Sequence, residues 1–182
     1  MDYSPGLRGV IAGETQISTV GMEGTSLRYR GYDAVGLTNT NTYEDVASLI
    51  IDDDLDGELF KKSFSNHYKK LSENSELIEL INRLKTEQHP MDVTRTAISY
   101  IGEANESNKL DAASKVTAIA CLAIASYNKE LSDVLDQKYT VASSLLPNSS
   151  TQQQLEALDD MLILYAEHGF NASTFAARVT AS

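Results

Sequence analysis

Three histidines, at 67, 89 and 168, and one cysteine, Cys121, are the side chains of this sequence best suited to acid-base or nucleophilic work near neutral pH. His168 has the most suggestive setting. It follows the apolar run Met161-Leu-Ile-Leu-Tyr-Ala and precedes Gly169. A second small-residue helix is expected from Asn171 or Ser173 onward, with both residues able to cap it. Met161, Leu164 and His168 stand at i, i+3 and i+7, which puts the imidazole on one face at the end of a helix over Gln152–His168. The negative end of that helix dipole favours a protonated ring. Free N–H groups at the start of the next helix would face the same space. Together these make a seat for a small carboxylate or keto acid. A core histidine with its bonds satisfied is the equally weighted alternative.

The other candidates carry less. His67 sits among polar neighbours and is expected at the surface. His89 precedes Pro90, so it should stand at a helix entrance with a structural bond to a neighbouring carbonyl. Cys121 lies mid-helix among alanines with no base or cation near it in sequence, as a small hydrophobe would. Asp52-Asp-Asp54 lacks calcium-loop spacing and is expected to be a solvated loop. No Cys/His cluster, phosphate-binding glycine loop or nucleophile elbow occurs, so no metal site is expected.

The elements that must position these residues are mostly helical. Thr42 can cap a helix over Tyr43–Ile51, with Glu44 and Asp45 in its first turn. Leu59–Leu71 is amphipathic. Asn74-Ser-Glu76 opens a helix running to Leu84, and Pro90 opens one that stops at Gly102. Leu110–Tyr127 is apolar almost all round and should be central. Asn105–Lys109 is a polar loop. Lys138–Leu146 is a short helix before Pro147, and Thr151 with Gln154 forms a capping box. Before Thr42 the pattern differs. Thr15–Val20 and Ser26–Arg30 alternate around Gly21-Met-Glu-Gly24 as a hairpin, which must dock on the helical body or on a partner. Its Arg28 and Arg30 read as a solvated face rather than an anion or interface contact. The expected division is a hairpin segment, 1–42, and a helical domain, 43–182.

The chain has 182 residues, 42% of them hydrophobic, and a formal net charge of -11. That size supports one globular core, and the negative surface argues against nucleic acid and anionic membranes as partners. One cysteine and no signal-type N-terminus suit the cytoplasm.

The stretch Leu162-Ile-Leu-Tyr-Ala-Glu-His168-Gly-Phe-Asn-Ala-Ser-Thr-Phe-Ala-Ala-Arg-Val179 closely resembles the Ala-Glu-His-x-x-Asn-Ala-Ser-Thr segment of citrate and 2-methylcitrate synthases. Gly6-Leu-Arg-Gly-Val-Ile-Ala-Gly-Glu-Thr, the run Tyr29-Arg-Gly-Tyr-Asp33 and His89-Pro-Met-Asp-Val-Thr-Arg-Thr96 agree in the same order. The resemblance implies the N-terminal half of an all-α, citrate-synthase-like helical bundle, incomplete here, with a small N-terminal β-hairpin and an intimate dimer. It implies His168 as an oxaloacetate ligand and Asn171 and Ser173 as supporting residues, the serine lying behind a catalytic histidine of the family and helping to orient it. No cofactor would be covalently bound; acetyl-CoA or propionyl-CoA would be co-substrate of the complete enzyme. Family members often carry Glu at the position of Gly169. They also continue into Pro-x-His-Gly-Gly and Gly-His-x-x-Tyr segments with the catalytic histidines, and then to the catalytic aspartate. None of these is in the present chain, so no residue here is assigned as catalytic. The condensation needs a base at the acyl methyl and an acid at the carbonyl oxygen, and His168 alone cannot supply both. The expectation is therefore a subunit that needs a C-terminal partner chain, in a homo- or hetero-oligomer. A non-catalytic regulatory or scaffolding homologue and a truncated product are the alternatives. A stop at Val179–Ser182, inside an expected helix, would leave apolar surfaces uncovered and favour association.

Overall fold

The computed structural model describes residues 13–21, 26–102, 108–128 and 139–181. Most of Gly6–Thr15, the turn residues Met22–Gly24, most of the Asn105–Lys109 loop, Lys138 and Ser182 lie outside the described residues. Among the described residues three minimal strands lead into nine helices: β1 (Ser18–Thr19), β2 (Arg28–Tyr29), β3 (Tyr32–Asp33), α1 (Ala34–Thr38), α2 (Tyr43–Asp52), α3 (Glu58–Ser72), α4 (Ser75–Leu84), α5 (Pro90–Ile101), α6 (Lys109–Ala125), α7 (Val141–Leu145), α8 (Gln152–Leu164) and α9 (Ala172–Ala181).

Local hydrogen bonds set most of the helix starts. Thr42 and Asp45 form a reciprocal capping box at α2, and Thr151 with Gln154 does the same at α8. Asn74 caps α4 by accepting from the Leu77 N–H. The N-cap residue of α3, Gly57, has no capping side chain, and the Asp56 carboxylate accepts from the Glu58 N–H at 3.0 Å instead. A missing cap costs about 1 kcal/mol. Full burial of Phe60, Phe64 and Tyr68 on one face of that helix outweighs it, at about 1.5–3 kcal/mol for a large apolar side chain. Their rings stack in series, with centroids 6.5 and 5.8 Å apart, and Tyr68 continues onto Tyr139 at 4.9 Å. Gly57 permits the α2–α3 corner, because a Cβ there would lie 2.5 Å from main-chain atoms of Glu44 and Asp45.

The main core surrounds α6, which packs against α2, α3, α5 and α7. Ala118, Ile119, Leu122, Ala123 and Ala125 are all at 0% exposure, so α6 is buried on several sides, as its composition requires. A second apolar cluster joins Tyr29, Ala34 and Leu37 to Val46 and Leu49 of α2 and Ile163 of α8. The hairpin therefore docks on the helices through Tyr29.

Several expectations need correcting. The hairpin carries a third strand: β1 pairs antiparallel with β2 through Ser18 and Tyr29, and β2 with β3 through Tyr29 and Tyr32. The short helix α1 follows at once, capped by the Asp33 carboxylate on the Gly36 N–H. Arg30 is not part of a solvated face. It donates to the Leu49 and Ile50 carbonyls at 2.9 and 3.0 Å, closing the exposed end of α2. The expected helix over Lys138–Leu146 is only α7, because Thr140 caps it. No helix among the described residues is long and apolar enough to cross a membrane.

Candidate substrate-binding loop

The segment carrying His168 is not the end of a helix. α8 stops at Leu164, and residues 165–171 form a loop before α9. A contact from outside α8 meets its end. The carbonyl of Ile163 would accept from the Glu167 N–H if the helix continued. It accepts instead from the Ala166 N–H at 3.2 Å and from the Tyr29 hydroxyl at 2.8 Å. Burial pushes the Tyr29 phenol above its ordinary value, partly offset by the Glu167 and Ala166 N–H groups beside its oxygen. The first corner of the loop is thus held from β2.

Beyond it, one carboxylate oxygen of Glu167 accepts from the N–H groups of both His168, at 3.0 Å, and Gly169, at 2.6 Å. Gly169 and Phe170 then take left-handed backbone, φ +72° and +43°. Glycine suits the first of these positions, and a Cβ on Gly169 would sit 3.1 Å from the Ser18 hydroxyl of β1. Asn171 caps α9, its side-chain oxygen accepting from the Ser173 and Thr174 N–H groups at 3.1 and 3.2 Å. Its amide nitrogen meets His168 Nε2 at 3.0 Å.

His168 is therefore not aligned with the C-terminal dipole of α8, nor is it a core residue. Its side chain is exposed, and it faces the start of α9 through Asn171. Ser173 is exposed in the first turn of α9 and is not a cap. A cavity of about 110 Å³ lies beside the loop, between residues leading into β1 and the first two turns of α9. That volume suits a ligand of a few heavy atoms and falls well below a drug-sized pocket. Arg178 on its wall was not singled out from the sequence. The signal was present, since Asn171, Thr174 and Arg178 recur at i, i+3 and i+7 and share one face of α9. Phe170 and Phe175 pack edge to face at 5.7 Å along the same cavity.

His67, His89, Glu44 and Asp159 make structural contacts. His67 is half-buried rather than on the surface: its Nε2 lies 2.9 Å from Asp111 Oδ1, bridging α3 to α6. Ser63 donates to that same oxygen at 2.6 Å. Because the carboxylate stands between serine and histidine, the ring cannot take the serine proton, and the trio is not a nucleophilic triad. His89 Nδ1 accepts from the Met91 N–H at 3.2 Å. The expected partner was a carbonyl, but the free donors at a helix start call for an acceptor. Two carboxylates, one buried and one half-buried, also cap helices from a distance. Glu44 accepts from the Val141 N–H at 2.7 Å and Asp159 from the Tyr43 N–H at 3.0 Å. Burial raises Glu44; burial and then the Glu44 charge push Asp159 up to about 6. Among the described residues no three His, Cys, Asp or Glu side chains cluster to hold a metal ion. The loop can thus offer hydrogen bonds through His168 and brings no acid-base pair together; the cavity beside it is lined by Arg178 but also by the carboxylates of Glu14 and Glu167, and His168 is not on its wall.

Residues 6–182 match the family model described as citrate synthase, C-terminal domain. A 2-methylcitrate synthase of Shewanella oneidensis is 35% identical over 193 residues, covering 97% of this chain and 51% of the relative. A 2-methylcitrate synthase of Mycobacterium tuberculosis is 33% identical over 199 residues, covering 100% and 50%. Among solved structures, the citrate synthase of the thermophilic archaeon Thermoplasma acidophilum, in ternary complex with carboxymethyl coenzyme A and oxaloacetate, superposes with a TM-score of 0.75. It is 18% identical, and the match covers 93% of this chain and 49% of that one. The chain spans about half the length of the curated relatives it matches.

Proposed function

The chain belongs to the citrate synthase family, and from that premise we propose that it forms the N-terminal, keto-acid-binding half of a citrate- or 2-methylcitrate-type synthase. The substrate assigned to the loop is oxaloacetate, with His168 as its ligand and Asn171 and Ser173 as supporting residues. Acetyl-CoA or propionyl-CoA is the co-substrate. The base and acid of the condensation come from outside these 182 residues, on a partner chain carrying Pro-x-His-Gly-Gly and Gly-His-x-x-Tyr, in a cytoplasmic oligomer.

One observation carries this reading. An exposed imidazole is held by Asn171 at the entrance of α9, within the stretch that most resembles the family. A hydrogen-bond donor to a bound carboxylate contributes about 1.5–3 kcal/mol. Single-site binding should therefore fall about tenfold or more when the ring is removed.

The test is to mix this chain with a candidate C-terminal half and to follow thiol release from acetyl-CoA and propionyl-CoA in the presence of oxaloacetate. Activity in the mixture, absent from either chain alone, is the expected result, and no release from any pairing sinks the proposal. Calorimetric titration of oxaloacetate into the assembled pair should show weaker binding for His168→Ala. Equal binding removes His168 from the site.

A further inference from the structure

We infer that Asn171 fixes the tautomer of His168, so that the loop presents an imidazole Nδ1–H, rather than Nε2–H, to an incoming acceptor. The tautomer stands on geometry alone; the identity of the acceptor, a carboxylate or carbonyl oxygen of a keto acid, rests on the function proposed above.

The Asn171 amide cannot be reversed. Its Oδ1 accepts from two main-chain donors, the N–H groups of Ser173 at 3.1 Å and Thr174 at 3.2 Å. Exchanging oxygen and nitrogen would set the NH₂ group against both of them and leave the start of α9 uncapped. The group facing His168 Nε2 at 3.0 Å is therefore the amide nitrogen, which only donates. A ring nitrogen that receives a hydrogen bond carries no proton, so the neutral imidazole carries its proton on Nδ1. The main chain beside the ring is fixed independently by Glu167, which binds the N–H groups of His168 and Gly169. Among the described residues Nδ1 has no hydrogen-bond partner, and the side chain is exposed.

The other two histidines hold the opposite form. His89 Nδ1 accepts from the Met91 N–H, which puts its proton on Nε2. His67 Nε2 faces Asp111 Oδ1 at 2.9 Å, and a carboxylate only accepts, so Nε2 again carries the proton. His168 is thus the one Nδ1–H imidazole among the three histidines of the sequence. Asn171 is a positioning residue in this scheme, because it acts on a ligand only through the ring.

The full chain, labelled with ¹⁵N at histidine, decides the matter by long-range ¹H–¹⁵N correlation at a pH where the rings are neutral, with His168→Gln assigning the resonance. The expected spectrum shows His168 with Nε2 unprotonated and the other two with Nδ1 unprotonated. A His168 ring protonated on Nε2 overturns the inference. Asn171→Asp keeps a cap for α9 but offers the ring an acceptor, so His168 should switch to Nε2–H. A ring that stays Nδ1–H in this variant also overturns it. Oxaloacetate added to wild type assembled with its C-terminal half should shift the His168 Nδ1 resonance, and the assembly carrying Asn171→Asp should bind it about tenfold more weakly. If the tautomer is as stated and oxaloacetate moves nothing, the keto-acid ligand is wrong while the tautomer holds.

Discussion

The Tyr29 hydroxyl donates to the Ile163 carbonyl at 2.8 Å, across 134 residues of sequence. The phenol is fully buried, and its bond occupies one lone pair of the acceptor that a further turn of α8 would use. The end of α8, four residues before His168, is thereby tied to a side chain of the N-terminal sheet. Tyr29→Phe leaves a buried carbonyl with a weaker complement of donors, which costs about 1–3 kcal/mol. A lower denaturation midpoint with an unchanged m-value is expected. Hydrogen exchange at the Glu167 N–H should slow as the helix gains a turn. Unchanged exchange there would show that the phenol does not end the helix.

Gly169 links the loop to the sheet from the other side. At φ +72° a non-glycine residue costs about 1–2 kcal/mol, and its Cβ would crowd the buried Ser18 hydroxyl at 3.1 Å. Gly169→Glu, the residue frequent in the family, should therefore destabilise this chain. Adding Ser18→Ala should recover the contact part of the loss and leave the backbone part. Full recovery in the double variant would show that φ carries no strain. Thermal melts of the single and double variants separate the two contributions.

Asp159 predicts one arm of the pH profile. Burial first, then the Glu44 charge, lifts its carboxyl from 3.8 to about 6. Its folded-state value lies above the unfolded one, so folding favours the protonated form. That contribution is complete below 3.8 and is lost as pH rises through about 6. Asp159→Asn retains an acceptor for the Tyr43 N–H and should flatten the decline in melting temperature across this window. An unaltered slope would clear Asp159 of the effect.

Asp111 predicts the opposite sign. The Ser63 hydroxyl first, and then His67, hold its carboxyl below the usual value. A depressed folded value gives stability that is present above the unfolded pKa and lost as pH falls through the folded one. Ser63→Ala should raise the Asp111 titration midpoint more than His67→Gln does, by carboxyl ¹³C NMR. The reverse order would make the histidine the main partner.

The sequence by itself determined whatever depends on neighbours within a turn or so. The caps at Thr42, Asn74 and Asn171 and the box at Thr151 are hydrogen bonds spanning two or three residues, and Pro90 starts α5 through its own fixed φ, so local residue types specify them. The all-round apolar α6 had to be central, because no other place hides it from water. The motif around His168 marked the family. Tertiary structure alone decided where α8 stops, what Arg30 caps, and that His67 faces Asp111, pairings 134, 19 and 44 residues apart. It also decided that Glu44 and Asp159 would cap α7 and α2. A side chain's partner at such a distance depends on which surfaces meet after collapse, and periodicity carries no record of that. The site followed the same division: the residues of the loop were legible, but the exposure of His168 and the atom by which Asn171 holds it were set by packing.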